Sequence, residues 1–335
     1  TVSACLKQDT LYAPAGYEVT FGQTVLNHFS PKLPSLKGRS FKVVYGDVNI
    51  SAIGGDFSAM FSRSEGGLIS LVYRGTEYIT RTPKLSFFRA ATDNDKGMGA
   101  PAKDCGWLAA SAGLRYAPES FTVREMESSL EVSVEYEAMY PEKFRCKICY
   151  TMDASGTLKI RADYPGISGE SFMPLFAMDF KLKKSLDHFS YYGLGPEENY
   201  SDRKQGARLG VFESTPTANL SRYLIPQECG NREGVRYLTA DDQKGHGLCF
   251  TMTQKPFSAS VLPYSAYELE NAMHIYELPR VNYTWVRIMA GQTGVGGDDS
   301  WGAPVHEQYR IRADQPLTLE FSVKPQKGGR AHGFE

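Results

Sequence analysis

The side chains in this chain best suited to chemistry are carboxylates. Glu197 and Glu198 stand side by side in GPEEN, while Glu268 and Glu270 lie close together in YELEN with His274 just beyond. Two carboxyl groups facing each other across a glycosidic bond can cleave it, one as acid and base, the other as nucleophile or water activator. Sequence spacing alone brings no two of these together. His274 beside Glu268 and Glu270 is also a pair that could move a proton at an anomeric carbon, although a histidine satisfying a buried turn is the plainer reading.

Metal chemistry finds less support. Cys146 and Cys149 form a C-x-x-C, but the two-residue period of a strand puts them on opposite faces, and no second such pair completes a four-ligand site. His28, His188, His246, His306 and His332 are scattered without metal spacing. TDNDKG (92–97) gathers Asp93, Asn94 and Asp95 ahead of a glycine, yet lacks the further spacing and terminal glutamate of a calcium hand. A turn whose side chains cap backbone amides fits it better. GLGPEENYSDR (193–203) has Pro196 and no lysine after its glycines, so it is no phosphate loop. It reads as a corner whose Asn199, Tyr200, Asp202 and Arg203 pair locally or dock another domain.

Binding chemistry centres on GGDDSWG (296–302), which offers one large aromatic, Trp301, from a loop rich in glycine and aspartate. The glycines open conformations closed to other residues, and Asp298, Asp299 and Ser300 can tie the turn to its own amides. Trp301 is then either a binding platform or a ring tucked into a neighbouring core.

Four segments in order, FFRAATDNDKG (87–97), GLGPEENYSDR (193–203), LPYSAYELENAMHIYELP (262–279) and GVGGDDSWG (294–302), resemble the C-terminal domain of the large bacterial β-galactosidases of glycoside hydrolase family 2. They are similar also to the separate small subunit of its two-chain members. The resemblance runs from roughly residue 40 to 325 and implies a galactose mutarotase-like supersandwich. It implies too that Trp301 forms an apolar wall of the substrate pocket, and that the loop from Gly97, Met98 and Gly99 to Asp104 lies at the mouth of that pocket and can change shape. The family usually has proline where this chain has Ala91, a departure expected to loosen the turn.

Both cleaving glutamates of the family sit on a (β/α)8 barrel of about 250 residues, a pattern this chain lacks. The expectation is therefore a chain inactive alone, holding no catalytic residue, metal or other cofactor, that completes a site for β-D-galactosides such as lactose. Its implied partner is the rest of the enzyme, a barrel domain or large subunit, in a complete enzyme that is an oligomer and can use Mg and Na ions. A stand-alone carbohydrate-binding module and a mutarotase-like isomerase are the competing readings.

The elements that must position these residues are strands. Leu130, Val132, Val134 and Tyr136 alternate with polar neighbours, as do Phe144, Cys146, Ile148 and Tyr150, then Leu158, Ile160, Ala162 and Tyr164. Turns at 141–143 and 153–156 make these an antiparallel meander. Leu317, Leu319, Phe321 and Val323 repeat the period near the end. Helical signals are confined to 102–112 and a short turn near 266–272, so the chain reads as all-β with one or two short helices.

Residues 17–26 read as a single strand before the linker PKLPSLKGR, and a lone strand is no domain. Residues 1–36 therefore look like a remnant strand of a preceding sandwich plus linker, 37–325 like one domain, and 326–335 like a disordered tail. With 37 basic and 38 acidic residues the net charge is −1, which supplies no field for nucleic acid or anionic membrane. The first 30 residues lack the pattern of a secretory signal, and Thr1 suggests an excised or processed piece. Six sparse cysteines point to reduced thiols and the cytoplasm.

Overall fold

A computed structural model describes residues 1–27, 36, 38–299 and 302–326. The chain divides into two compact units, a small one over 1–34 and a large one over 35–332. In the small unit the strand read at 17–26 is shorter, Glu18–Gly22, and it is not alone: Val2–Cys5 pairs with it antiparallel, Val2 facing Gly22. Four residues are too few to show a period, which is why the first strand went unread. Most of the linker, and 327–335 of the tail, lie outside the described residues. Gln326, the first residue assigned to that tail, donates its amide to Gly247 O.

The large unit is built from strands, as the alternation requires. Its ten-stranded antiparallel sheet runs Thr122–Met126, Ser129–Glu137, Arg145–Asp153, Leu158–Tyr164, Leu317–Pro325, Gly247–Met252, Tyr237–Asp241, His188–Gly195 and Arg208–Ser214, with Arg115–Tyr116 added beside Ser129–Glu137. Pairing aligns the apolar positions in rows: Val132 faces Tyr150, Tyr150 faces Ile160, Ile160 faces Phe321. All four are buried, so one face of the sheet becomes continuous core.

A five-stranded sheet packs on that face in the order Arg232–Val235, Phe257–Leu262, Tyr283–Gln292, Leu175–Lys183 and Lys84–Ser86. Phe180 on it meets Phe250 and Phe321 of the large sheet edge to face, at 5.0 and 6.0 Å. A second five-stranded sheet, Phe41–Tyr45, Asn49–Gly54, Phe57–Ser62, Gly67–Tyr73 and Thr76–Glu77, joins the same core through Phe61 against Tyr150. The fold is thus an all-β supersandwich.

Helices are few and short: α1 (Asp93–Gly97), α2 (Ala100–Lys103), α3 (Cys105–Ala112) and α4 (Ala266–Glu270). The single helix expected over 102–112 is divided, because Asp104 leaves helical geometry at φ −98°, ψ 5°. Among the described residues no helix is long and apolar enough to cross a membrane.

Candidate functional site

Two of the four motif segments meet at Arg89. Its guanidinium is 4% exposed and makes a bidentate pair with Asp95, at 2.8 and 3.1 Å, while donating also to Gly294 O at 2.9 Å and to Thr293 O. Burial opposes the charge, but Asp95 more than offsets it and holds the guanidinium protonated. Asp95 in turn closes a capping box with Thr92, accepting from Thr92 N while its own amide donates to Thr92 Oγ1. TDNDKG is therefore a capping turn that opens α1.

More bonds fix the end of Tyr283–Gln292 and the segment after it. Asn94 Nδ2 donates to Val295 O at 3.0 Å, and Asp202 accepts from Val295 N and, at 2.7 Å, from Gly296 N. Gly302 stands against the loop that follows α1: a Cβ there would lie 2.6 Å from Gly97 O, and its φ of +119° already demands glycine. The TDNDKG, NYSDR and GVGGDD segments are thereby tied into one face.

Trp301 itself lies outside the described residues, as does Ser300. Around them, Asp299 Oδ1 accepts from Ala303 N at 3.1 Å, and Asp298 pairs with His306 at 2.7 Å. Gly97 ends α1, Met98 caps it with an amide donated to Asn94 O, and Gly99 turns at φ +74° into α2. Behind this loop is a small cavity lined in part by Met98, Pro101, Asp104, Phe172 and Arg310. Burial, and then the charge of Asp95, push the Asp104 carboxyl up to about 6, against the pull of Arg89, Arg310 and Lys103.

Three of the four glutamates singled out by type have separate tasks. Glu198 accepts from Arg203 and Tyr223 on Oε1 and from Gly230 N on Oε2, at 2.6 Å. Glu197 is exposed. Glu268 caps α4 through Ser265, and Glu270 Oε2 accepts from Ala91 N at 2.7 Å. That last bond uses the N–H of Ala91, a donor that proline would lack. His274 needs correction. It serves no buried turn but is exposed, stacked on Tyr276 and paired with Glu277 at 3.1 Å.

Asn199 and its neighbours do pair locally, Asn199 donating to Leu194 O and Glu197 O and accepting from Glu233 N. Cys146 is buried while Cys149, on the opposite face, is partly exposed, and the six cysteines are free thiols. Among the described residues no group of three or more His, Cys, Asp or Glu is placed to hold a metal ion. Arg89 was not singled out in the sequence, although a lone charge in FFRAA, with Asp95 shortly after, was a signal: a charge within an apolar run must be paired. The buried set of Arg287, Asp179 and Glu228 was missed for lack of any local pattern.

The model of the β-galactosidase small chain matches residues 53–323. A β-galactosidase from Halalkalibacterium halodurans is 42% identical over 321 residues, 95% of this chain and 32% of that protein. One from Streptococcus thermophilus is 38% identical, over 97% of this chain and 31% of that protein. The chain thus spans about a third of the length of these two relatives. A β-galactosidase small subunit from Latilactobacillus sakei is 35% identical over 84% of this chain and 96% of its own length. Among solved structures, galactose 1-epimerase from Lactobacillus acidophilus NCFM aligns over 88% of this chain and 100% of its own, at 10% identity and a TM-score of 0.47.

Proposed function

This chain belongs to the β-galactosidase small-chain family, and we propose that it completes the galactoside pocket of a larger β-galactosidase without supplying the groups that cleave the bond. The observation that carries this reading is the stapling of α1, the mouth loop and the segment leading to Gly302 into one face through Arg89, Asn94 and Asp202. Such a face presents loops at fixed spacing to a partner. Hydrolysis requires two free carboxyl groups across the bond. Glu198, Glu268 and Glu270 are engaged by backbone amides instead.

In this proposal a barrel-bearing domain or large subunit brings both carboxylates, together with any Mg and Na ions. Trp301 supplies an apolar wall for the C–H face of the galactose ring, and Gly97, Met98 and Gly99 border the entrance. Galactosides such as lactose are the substrate, and the setting is the cytoplasm, in keeping with free thiols. The test is Trp301→Ala in the assembled enzyme. Binding should weaken by about 1–3 kcal/mol, as when an aromatic anchor is truncated. Because the wall touches substrate before and during reaction, the loss should fall mainly on KM. Unchanged kinetics with a sharply lowered melting temperature would show the indole to be core.

A further inference from the structure

Beside α1 lies a cleft of about 360 Å³ formed wholly within the large unit. Asp93, Arg203, Tyr223 and Gln227 contribute to its rim and walls, and Tyr200 and Glu228 to its floor. Several of these groups are already committed. Gln227 accepts from Asp93 N and donates to Ile225 O, while both oxygens of Asp202 hold the amides of Val295 and Gly296.

Two floor atoms are left over. Tyr200 is 2% exposed and Glu228 4%, yet Tyr200 Oη and Glu228 Oε1 have no hydrogen-bond partner among the described residues. Buried polar groups are left unpaired at a cost that folding alone does not justify, so each calls for an explanation. Burial keeps the Tyr200 phenol neutral, its pKa well above the ordinary value, so it remains a donor. Arg203 fixes that ring, its guanidinium lying 5.2 Å over it while pairing with Glu198.

We propose that this cleft binds one pyranose ring of a neutral saccharide through the Tyr200 hydroxyl and the Glu228 carboxylate at its floor and Asp93 and Arg203 at its rim. The inventory alternates donors with acceptors, which is what vicinal hydroxyls, each both donor and acceptor, can satisfy at once. An anion would face Asp93, Asp202 and Glu228 with only Arg203 to receive it. A cation would meet Arg203 at the rim, and behind the floor Arg287, whose Nη1 is 3.6 Å from Glu228. The volume suits a single ring at the small end of ligand sites. The inference uses no property of Trp301 and stands apart from the proposed role of that residue.

The test is titration of the purified full chain with D-galactose and D-glucose, followed by calorimetry and ligand-observed NMR, with inorganic phosphate and argininamide as charged controls. One of the two sugars should bind saturably in the millimolar range. Tyr200→Phe should weaken it at least about fivefold, the loss of one hydrogen bond, with no fall in melting temperature, since the hydroxyl removed had no protein partner. Asp93→Asn should weaken it as well. No saturable binding of either sugar, or binding indifferent to Tyr200→Phe and Asp93→Asn, overturns the proposal. Tighter binding of argininamide than of either sugar also overturns it, marking the cleft as a socket for a cationic side chain.

Discussion

Replacing Arg89 with methionine removes four hydrogen bonds from one buried guanidinium, two to Asp95 and one each to the carbonyls of Thr293 and Gly294. Methionine fills much of the space, so the cavity term is small. The large term is Asp95, 6% exposed, which keeps only the Thr92 amide and becomes an unpaired buried charge. Breaking such a pair from one side costs about 3–5 kcal/mol. Asp95→Asn strands the guanidinium instead and should cost a similar amount. The double variant should be less unstable than the sum of the singles by about 0.5–3 kcal/mol, because neither charge is left alone. Equilibrium urea unfolding of the four proteins gives these differences, and limited proteolysis between residues 97 and 104 should accelerate in each single variant. A loss below about 1 kcal/mol for Arg89→Met, or strict additivity, would refute the clamp.

Further outcomes follow from other contacts at this face. The Asp104 carboxyl, raised in the folded chain from 3.8 to about 6, binds its proton more readily folded than unfolded, so stability should fall as pH rises from about 4 to about 6 and stay lower above. Asp104→Asn should therefore stabilise the chain at pH 7 by about 1–2 kcal/mol, discounted for partial exposure, with no gain at pH 4, as thermal unfolding at the two pH values will show. Ala91→Pro should lower stability by about 1.5–3 kcal/mol through loss of the N–H bond to Glu270, and a stabilising effect would mean that this bond contributes little. Gly302→Ala forces a Cβ onto Gly97 O, so it should raise KM in the assembled enzyme with little change in the core; unaltered KM would contradict the contact between the two loops.

How far the sequence carried these conclusions depends on the range of the interactions. Period-two alternation in 130–136, 144–150, 158–164 and 317–323 is a local property of each strand, and it gave the meander and its buried face before any contact was known. The capping turn at TDNDKG was legible for the same reason: Thr92 and Asp95 are three residues apart and bond to each other. Arg89, by contrast, reaches carbonyls more than 200 residues away, and Arg287 pairs with Asp179 across neighbouring strands, where no local period records the partner. Ala91 shows the same limit in a single atom. Its amide partner, Glu270, is supplied by α4, a contact that the resemblance behind the looser-turn expectation does not include.

The central claim, that this chain completes a β-galactosidase without cleaving the bond itself, is tested most directly by reconstitution. The purified chain, a barrel-bearing large subunit from the family, and their mixture would each be assayed for release of nitrophenol from nitrophenyl β-galactoside. The account predicts no turnover by the chain alone and activity in the mixture that rises and saturates as the chain is added. Turnover by the chain alone that survives stringent purification, or a large subunit fully active and indifferent to the chain, would contradict it.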